Sequence, residues 1–260
     1  MIVLYEHPLS PYAQKVKILL IEKGLSFEAR MPGPADLGPD SDFSRASPRG
    51  EVPVLIDGET RVFDSTIIAE YIEDAYPQPA MRPKSAAERA RVRMLEDTCD
   101  TIFEATNWAV SEIVAFGRAE GALRETHLGR AARQIAGMHR WLERELGTRR
   151  FFNGEAFGLG DACVYPFVAG AAGQGQAPPA GTALADWFAR MLTRPSVARC
   201  VADIAPIMTG FELLPGLLAQ GLFKREYRDH RLEWMLRSGG VEIVLEGMMK
   251  KNIRFSHEPT

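Results

Sequence analysis

Val52-Pro53-Val54-Leu55-Ile56-Asp57-Gly58-Glu59-Thr60-Arg61-Val62-Phe63-Asp64-Ser65 carries the signals that decide the fold. Two apolar runs, Val52–Ile56 and Thr60–Phe63, flank Asp57-Gly58, a pair that accepts the positive φ of a tight antiparallel hairpin. Asp64-Ser65 then opens a helix, with Ile67, Ile68, Tyr71, Ile72 and Ala75 at helical spacing and Tyr76-Pro77-Gln78-Pro79 as its stop. Pro53 at the head of a buried strand gives up a ladder donor. Either the strand simply begins with proline, or the backbone has a special geometry there, a cis bond that presents the N–H and C=O of Val52 to a ligand.

Upstream, Ile2–Tyr5 is a short apolar run cut by His7-Pro8, and Ser10-Pro11 opens a helical pattern through Glu22 that Gly24 ends. Leu25–Ala29 returns as a second strand. A helix crossing between two strands this close in sequence implies a parallel pair and a right-handed connection, so the chain opens on a βαβ unit. Met31–Asp40 is a loop, Asp42–Ala46 a single helical turn, and the prolines between Pro77 and Pro83 mark a domain boundary.

Beyond that boundary the pattern is helical throughout. Ser85-Ala86-Ala87-Glu88 fits a capping box, and Met94, Thr98, Ile102, Ala105, Ala109 and Ile113 form the expected apolar stripe of a long helix. A second helix is expected over Ala131–Leu146 and a third from near Asp161, with Gly173–Gly181 as a loop. From about Pro206 the tail changes character. Phe223, Tyr227, His230 and Trp234 lie on one stripe, Gly239-Gly240 breaks it, and Val241, Val244, Leu245 and Met248 resume one. Its charges alternate in sign, which favours packing on the body or a second subunit over a membrane surface.

Bulk properties exclude several functions. The 260 residues carry 31 Lys and Arg against 34 Asp and Glu, so no basic face has the density that a nucleic-acid backbone needs. Met1–His7 lacks the basic and long apolar regions of a secretory signal, and no run of apolar residues spans a bilayer, so the chain reads as a cytoplasmic protein without a membrane segment. Cys99, Cys163 and Cys200 form no C-x-x-C pair and read as buried free thiols. The five histidines show no zinc spacing, and no metal is expected.

Taken one at a time, Ser10-Pro11 and Asp64-Ser65 read as ordinary helix caps. Their order around Val52-Pro53 is what resembles the glutathione S-transferase family, in its bacterial-type members with serine at the catalytic position. Ser10-Pro11-Tyr12, Lys23-Gly24-Leu25, Pro48–Leu55, and Asp64-Ser65 followed by Ile68, Ala69, Tyr71 and Ile72 carry the resemblance, which covers about residues 1–205. It implies an α/β thioredoxin-like glutathione-binding domain over 1–80 with a cis Pro53, an all-α domain over 85–205, and a helical C-terminal extension over 206–260.

The resemblance further implies a glutathione transferase acting in detoxification. Its thiolate would attack an apolar electrophile, and the chain would form a homodimer. Ser10 would donate to the glutathione sulfur, Val52 beside Pro53 would pair with the cysteinyl backbone, and Asp64 with Ser65 would hold the γ-glutamyl end. Tyr5 is the rival catalytic residue, disfavoured because a strand's buried face can use its ring. Tyr12, Trp108 and the extension are candidates for the second-substrate walls. The same fold serves glutathione-dependent lyases, etherases, isomerases, peroxidases and non-catalytic binding proteins.

Three residues depart from the family's pattern. Glu51 stands where many members carry lysine or glutamine near the glycyl carboxylate, and an acid there repels it unless its side chain points away. Asp64 replaces a common glutamate. Gly158 in Gly158-Leu159-Gly160-Asp161 lacks the hydroxyl of the usual helix cap.

Overall fold

The computed structural model describes residues 1–33, 36, 38, 40–220, 232, 235, 236 and 239–250. Strand β1 (Ile2–Tyr5), helix α1 (Pro11–Glu22) and strand β2 (Phe27–Arg30) come first. Helix α2 (Asp42–Ala46), the hairpin β3 (Val54–Asp57) and β4 (Thr60–Phe63), and helix α3 (Ser65–Ala75) follow. The sheet order is β2-β1-β3-β4, with β1 and β2 parallel and the other pairs antiparallel. A parallel βαβ crossover continued by an antiparallel hairpin and a helix is the expected thioredoxin-like unit.

Strand alternation sorts the side chains between two faces. Ile2, Leu4 and Leu55 pack with Val16 and Leu20 of α1 and Ile68 and Ile72 of α3. Tyr5 and Val54, with Val3 and Ile56, turn to the opposite face and meet Phe43 and Ala46 of α2. The hairpin loop falls one residue later than expected, at Gly58-Glu59, with the positive φ (60°) at Gly58. Asp57 stays in β3, where its carboxylate accepts from the hydroxyls of Tyr71 (2.9 Å) and Tyr76 (2.5 Å) and so ties the strand to α3 and its end.

After α3 the described elements are helical, apart from one bridge between Phe151 and Gly154. Helix α4 (Ala86–Thr98) runs through a π-helical stretch (Cys99–Phe103) into α5 (Glu104–Val114). Helices α6 (Gly121–Leu146), α7 (Leu159–Gly173), α8 (Ala183–Leu192), α9 (Pro195–Ile204), α10 (Leu214–Ala219) and a last helix, Val241–Met249, follow. The resumed tail stripe therefore is helical, whereas Phe223, Tyr227, His230 and Trp234 lie outside the described residues.

Two expectations are corrected here. Of the stripe through Met94 only Ile113 is buried: Met94 is 61% exposed, and the buried residues from α4 through α5 are Val92, Leu95, Glu96, Cys99, Phe103, Thr106, Val110, Glu112 and Ile113. The buried face includes a carboxylate, and the wider π turn shifts the helical phase midway, so apolar spacing alone selects the wrong face. Helix α6 begins at Gly121, ten residues before the expected Ala131, because residues 121–130 have no buried stripe to reveal them.

Polar contacts fasten the helical part to the α/β part. Lys15 of α1, fully buried, donates to Glu96 Oε1 (2.6 Å) and Asp100 Oδ2 (2.8 Å), and Thr66 Oγ1 of α3 donates to the same Glu96 oxygen (2.9 Å). Lys17 joins Glu6 (2.5 Å) to Asp203 of α9 (2.5 Å), and Glu22 takes Arg194 and Ser196. Ile18, Leu19 and Ala69 enter the same apolar core as Leu95, Phe103, Phe152 and Trp187. All three cysteines are buried and free.

The start of α7 explains one departure. Asp161, fully buried, accepts from Gly158 N–H (3.0 Å), Phe152 N–H (2.8 Å) and Trp187 Nε1 (2.8 Å). Only half of a capping box is present, since glycine has no side chain to return the bond. A Cβ at position 158 would lie 2.1 Å from Asn153 Nδ2 and 2.6 Å from the Met81 carbonyl oxygen. Space, rather than φ, requires glycine there. Gly158→Ser is therefore expected to lower stability by about 1–3 kcal/mol through overpacking, read as a fall in Tm. A rise in Tm from a restored hydroxyl cap would contradict this.

Burial pushes the Asp161 carboxyl up to about 6, against the pull of its three donors. Its folded pKa thus exceeds the unfolded value of about 3.9, the native state binds more protons between them, and its contribution to stability declines as pH rises through that window. Asp161→Asn removes the titration and misplaces one amide hydrogen against a donor. The variant should melt below the wild type throughout, with a gap widest near pH 4 and narrower near pH 7; the reverse trend would refute the sign.

Candidate functional site

Three backbone features of the α/β unit could hold a ligand. The first is the start of α1. Ser10, half-buried, is the N-cap (φ −77°, ψ 115°), and its Oγ accepts from Ala13 N–H at 3.3 Å. That leaves the Ser10 hydroxyl hydrogen for another acceptor. Pro11 has no N–H to satisfy, and the Ser10 N–H is held by the His7 carbonyl (2.8 Å), which fixes the turn between β1 and α1. Burial lowers the pKa of His7, whose Nδ1 accepts from Leu9 N–H.

The second is the cis bond between Val52 and Pro53, the geometry that the sequence left as one of two options. The turn before it is tied down: Ser47 Oγ accepts from Glu51 N–H (3.0 Å) and donates to the Glu51 carbonyl (3.2 Å), and Gly50 supplies a positive φ of 64°. The Val52 N–H and C=O make no hydrogen bond among the described residues. Half-buried beside the buried Pro53, they are left for an extended ligand backbone.

The third is the start of α3. Asp64 is the N-cap, with a positive φ of 73°; its Oδ1 accepts from Thr66 N–H (3.0 Å) and Ile67 N–H (3.4 Å). The Ser65 N–H and hydroxyl make no hydrogen bond among the described residues, at the positive end of a helix dipole.

Arg49, which the sequence reading left without a role, joins these parts. Its Nε meets Glu51 Oε2 at 3.0 Å, its Nη2 meets Asp64 Oδ2 at 3.2 Å, and its guanidinium lies 5.3 Å from the Phe63 ring centroid. The Glu51 carboxylate is thereby compensated rather than bare. Nothing in the spacing signals this, because residues 49, 51, 63 and 64 meet only when the β3–β4 hairpin closes.

The other candidates are placed as follows. Tyr5 is buried on the α2 face of the sheet, its ring 5.3 Å from Phe43 and its hydroxyl 3.4 Å from Asp36 Oδ1. Tyr12 follows Ser10 by two positions and donates to the Asp100 carbonyl (2.6 Å), edge-on to Phe167. Burial and the neighbouring Glu104 and Asp100 carboxylates hold its phenol protonated well above the usual tyrosine range. Trp108 is half-buried on α5. Burial pushes Asp100 up to about 6 although Lys15 pulls it down. Among the described residues no group of three or more His, Cys, Asp and Glu could hold a metal ion, and no helix is long and apolar enough to cross a membrane.

An unbonded hydroxyl hydrogen, an open peptide edge and a cationic helix start beside a carboxylate together suit a peptide-like ligand with a sulfur or oxyanion at one end and a zwitterion at the other. Comparison with known proteins places the chain as a whole. The family model described as glutathione S-transferase, N-terminal domain matches residues 4–80, and that of the C-terminal domain matches residues 120–190. A probable glutathione S-transferase GSTU1 of Oryza sativa is 32% identical over 181 residues, 65% of this chain and 73% of that protein. The uncharacterized GST-like protein YibF of Escherichia coli is 43% identical over 106 residues, 40% of this chain and half of its own length. A crystal structure of rice GST1 in complex with glutathione superposes with a TM-score of 0.67 at 28% identity, covering 83% of this chain and 96% of that one.

Asp64 has a backbone duty separable from ligand binding. Asp64→Ala loses the cap and puts a Cβ without a local hydrogen bond at positive φ, and should cost about 1–2 kcal/mol. Asp64→Gly should cost only a few tenths. Equal losses in chemical denaturation would show that the positive φ at this position does not decide the cost.

Proposed function

Because the chain belongs to the glutathione S-transferase family, we propose that it is a glutathione transferase in which Ser10 ionises the bound thiol. Its glutathione-binding part is residues 1–80, its helical part 85–205, and its extension 206–260. The observation that carries the reading is the Ser10 hydroxyl, oriented by Ala13 N–H at the start of α1 with its hydrogen unengaged. A free thiol has a pKa of about 8.5, and lowering it by about two units takes about 2.7 kcal/mol. A charge-assisted hydrogen bond supplies about 1.5–3 kcal/mol, and a helix N-terminus about 0.3–2 kcal/mol. Together they meet the requirement without a metal.

In this reading Val52 pairs with the cysteinyl backbone beside Pro53. Asp64 accepts from the γ-glutamyl ammonium, while Ser65 and Arg49 take its carboxylate. The thiolate attacks an electrophilic carbon, the new C–S bond forms, and the leaving group departs. Tyr12 offers its ring rather than its hydroxyl to the apolar co-substrate, since the hydroxyl is tied to Asp100, and Trp108 forms another wall. Serine cannot make a mixed disulfide with glutathione, which favours conjugation over thiol–disulfide exchange. The protein works as a cytoplasmic homodimer in detoxification.

Retention on immobilised glutathione and thioether formation with an activated aryl halide test this. Ser10→Ala should cut kcat by about 10- to 100-fold, matching one charge-assisted hydrogen bond. Asp64→Gly and Arg49→Gln should mainly raise KM for glutathione. Full activity in Ser10→Ala would overturn the mechanism and turn attention to Tyr5→Phe. Retention without turnover of any electrophile would make the chain a binding protein.

A further inference from the structure

The turn after α6 and the start of α8, which share no residue with the glutathione site, border a shallow, open concavity of about 270 Å³. Arg149, Arg150 and Arg190 line it, together with Glu155 and Asp186. The guanidinium carbons of Arg150 and Arg190 lie 5.8 and 5.9 Å from the centroid of one ring, that of Phe151, which is buried and set edge-on against Phe157. Two cations are thus held beside the same rigid aromatic anchor.

Among the described residues their donors are only partly satisfied, and Arg150 is exposed. Arg190 Nη2 donates to the Arg150 carbonyl (2.9 Å), but its Nε is buried and has no acceptor. Neither Arg150 nor Arg190 forms an ion pair among the described residues, although two carboxylates line the same concavity. Arg149 donates to the Glu145 carbonyl (3.3 Å) and approaches Glu88 only to 3.9 Å. Planar guanidiniums with unmet N–H groups match a ligand that presents several oxygens at once. Glu155 and Asp186 in the same lining oppose any anion, so binding has to rest on the hydrogen-bonding fit of the guanidiniums rather than on net charge alone.

We propose that this concavity binds a phosphoryl group, as inorganic phosphate or as a phosphate monoester. Calorimetric titration of the full chain at low ionic strength and near-neutral pH, with inorganic phosphate, glycerol 3-phosphate and chloride, tests it. Saturable one-to-one binding of either phosphate, absent with chloride, is expected, and the tighter of the two ligands identifies the source. The double variant Arg150→Gln/Arg190→Gln should weaken binding at least about tenfold, the exposed control Arg133→Gln should not, and Glu155→Gln/Asp186→Asn should tighten it. Circular dichroism melting checks the fold of each variant; if the double variant unfolds, Arg150→Gln alone carries the comparison. No saturable phosphate binding, an equal response to chloride, undiminished binding in a folded arginine variant, or weaker binding after the carboxylates are neutralised would each overturn the proposal. None of these outcomes depends on the glutathione reading.

Discussion

The ammonium of Lys15 is the constraint on which the rest of the structure depends. It sits on α1, five residues after Ser10, entirely out of solvent, between Glu96 and Asp100. Burial alone would strip its proton, yet the two facing carboxylates raise its pKa above the ordinary lysine range, so it remains a cation. Removing one member of such a group typically costs about 3–5 kcal/mol, because the others are left charged and dry. Thr66 completes the arrangement by donating to Glu96 from the first turn of α3. The N-terminal halves of α1 and α3 are therefore referred to one carboxylate on a third helix, which holds them in fixed relation.

Charge within the candidate site is balanced locally. Arg49 lies between Glu51 and Asp64, and the Phe63 ring supports it from β4. An acid at position 51 is tolerable beside an anionic ligand because its charge is already met. The same arginine gives the start of α3 a second cationic element beside the helix dipole, while the carboxylate of Asp64 is engaged in capping and still able to accept from an ammonium.

The α/β half was legible from sequence because its determinants are local. A turn pair between two apolar runs, a serine before proline and an acid–serine pair each specify the backbone within a few residues, and α1, α3 and the β3–β4 hairpin form at those signals, the hairpin loop shifted by one residue. The helical half was less legible because its buried faces are not purely apolar. Glu96 and Asp161 are buried at positions that a hydrophobic pattern assigns to solvent, and the exposed Met94 occupies one that it assigns to the core. Gly158 looked like a weakened cap, and only the approach of Asn153 and the Met81 carbonyl shows why no side chain fits. Arg49 escaped notice because its partners are brought together by the hairpin and not by spacing.

The π-helical stretch Cys99–Phe103 separates two jobs along what would otherwise be one rod. Before it, α4 supplies Glu96 to the buried ion group; after it, α5 carries the half-buried Trp108. An α-helix advances about 100° per residue, so the wider turn acts as a phase shifter between the two segments. Chain length at this joint becomes a variable independent of side-chain identity: one residue more or fewer would rotate the whole wall presented by α5 while leaving the anchor on α4 where it is. A relative could acquire a differently shaped co-substrate chamber by indel rather than by substitution, with the grip on the peptide ligand inherited intact.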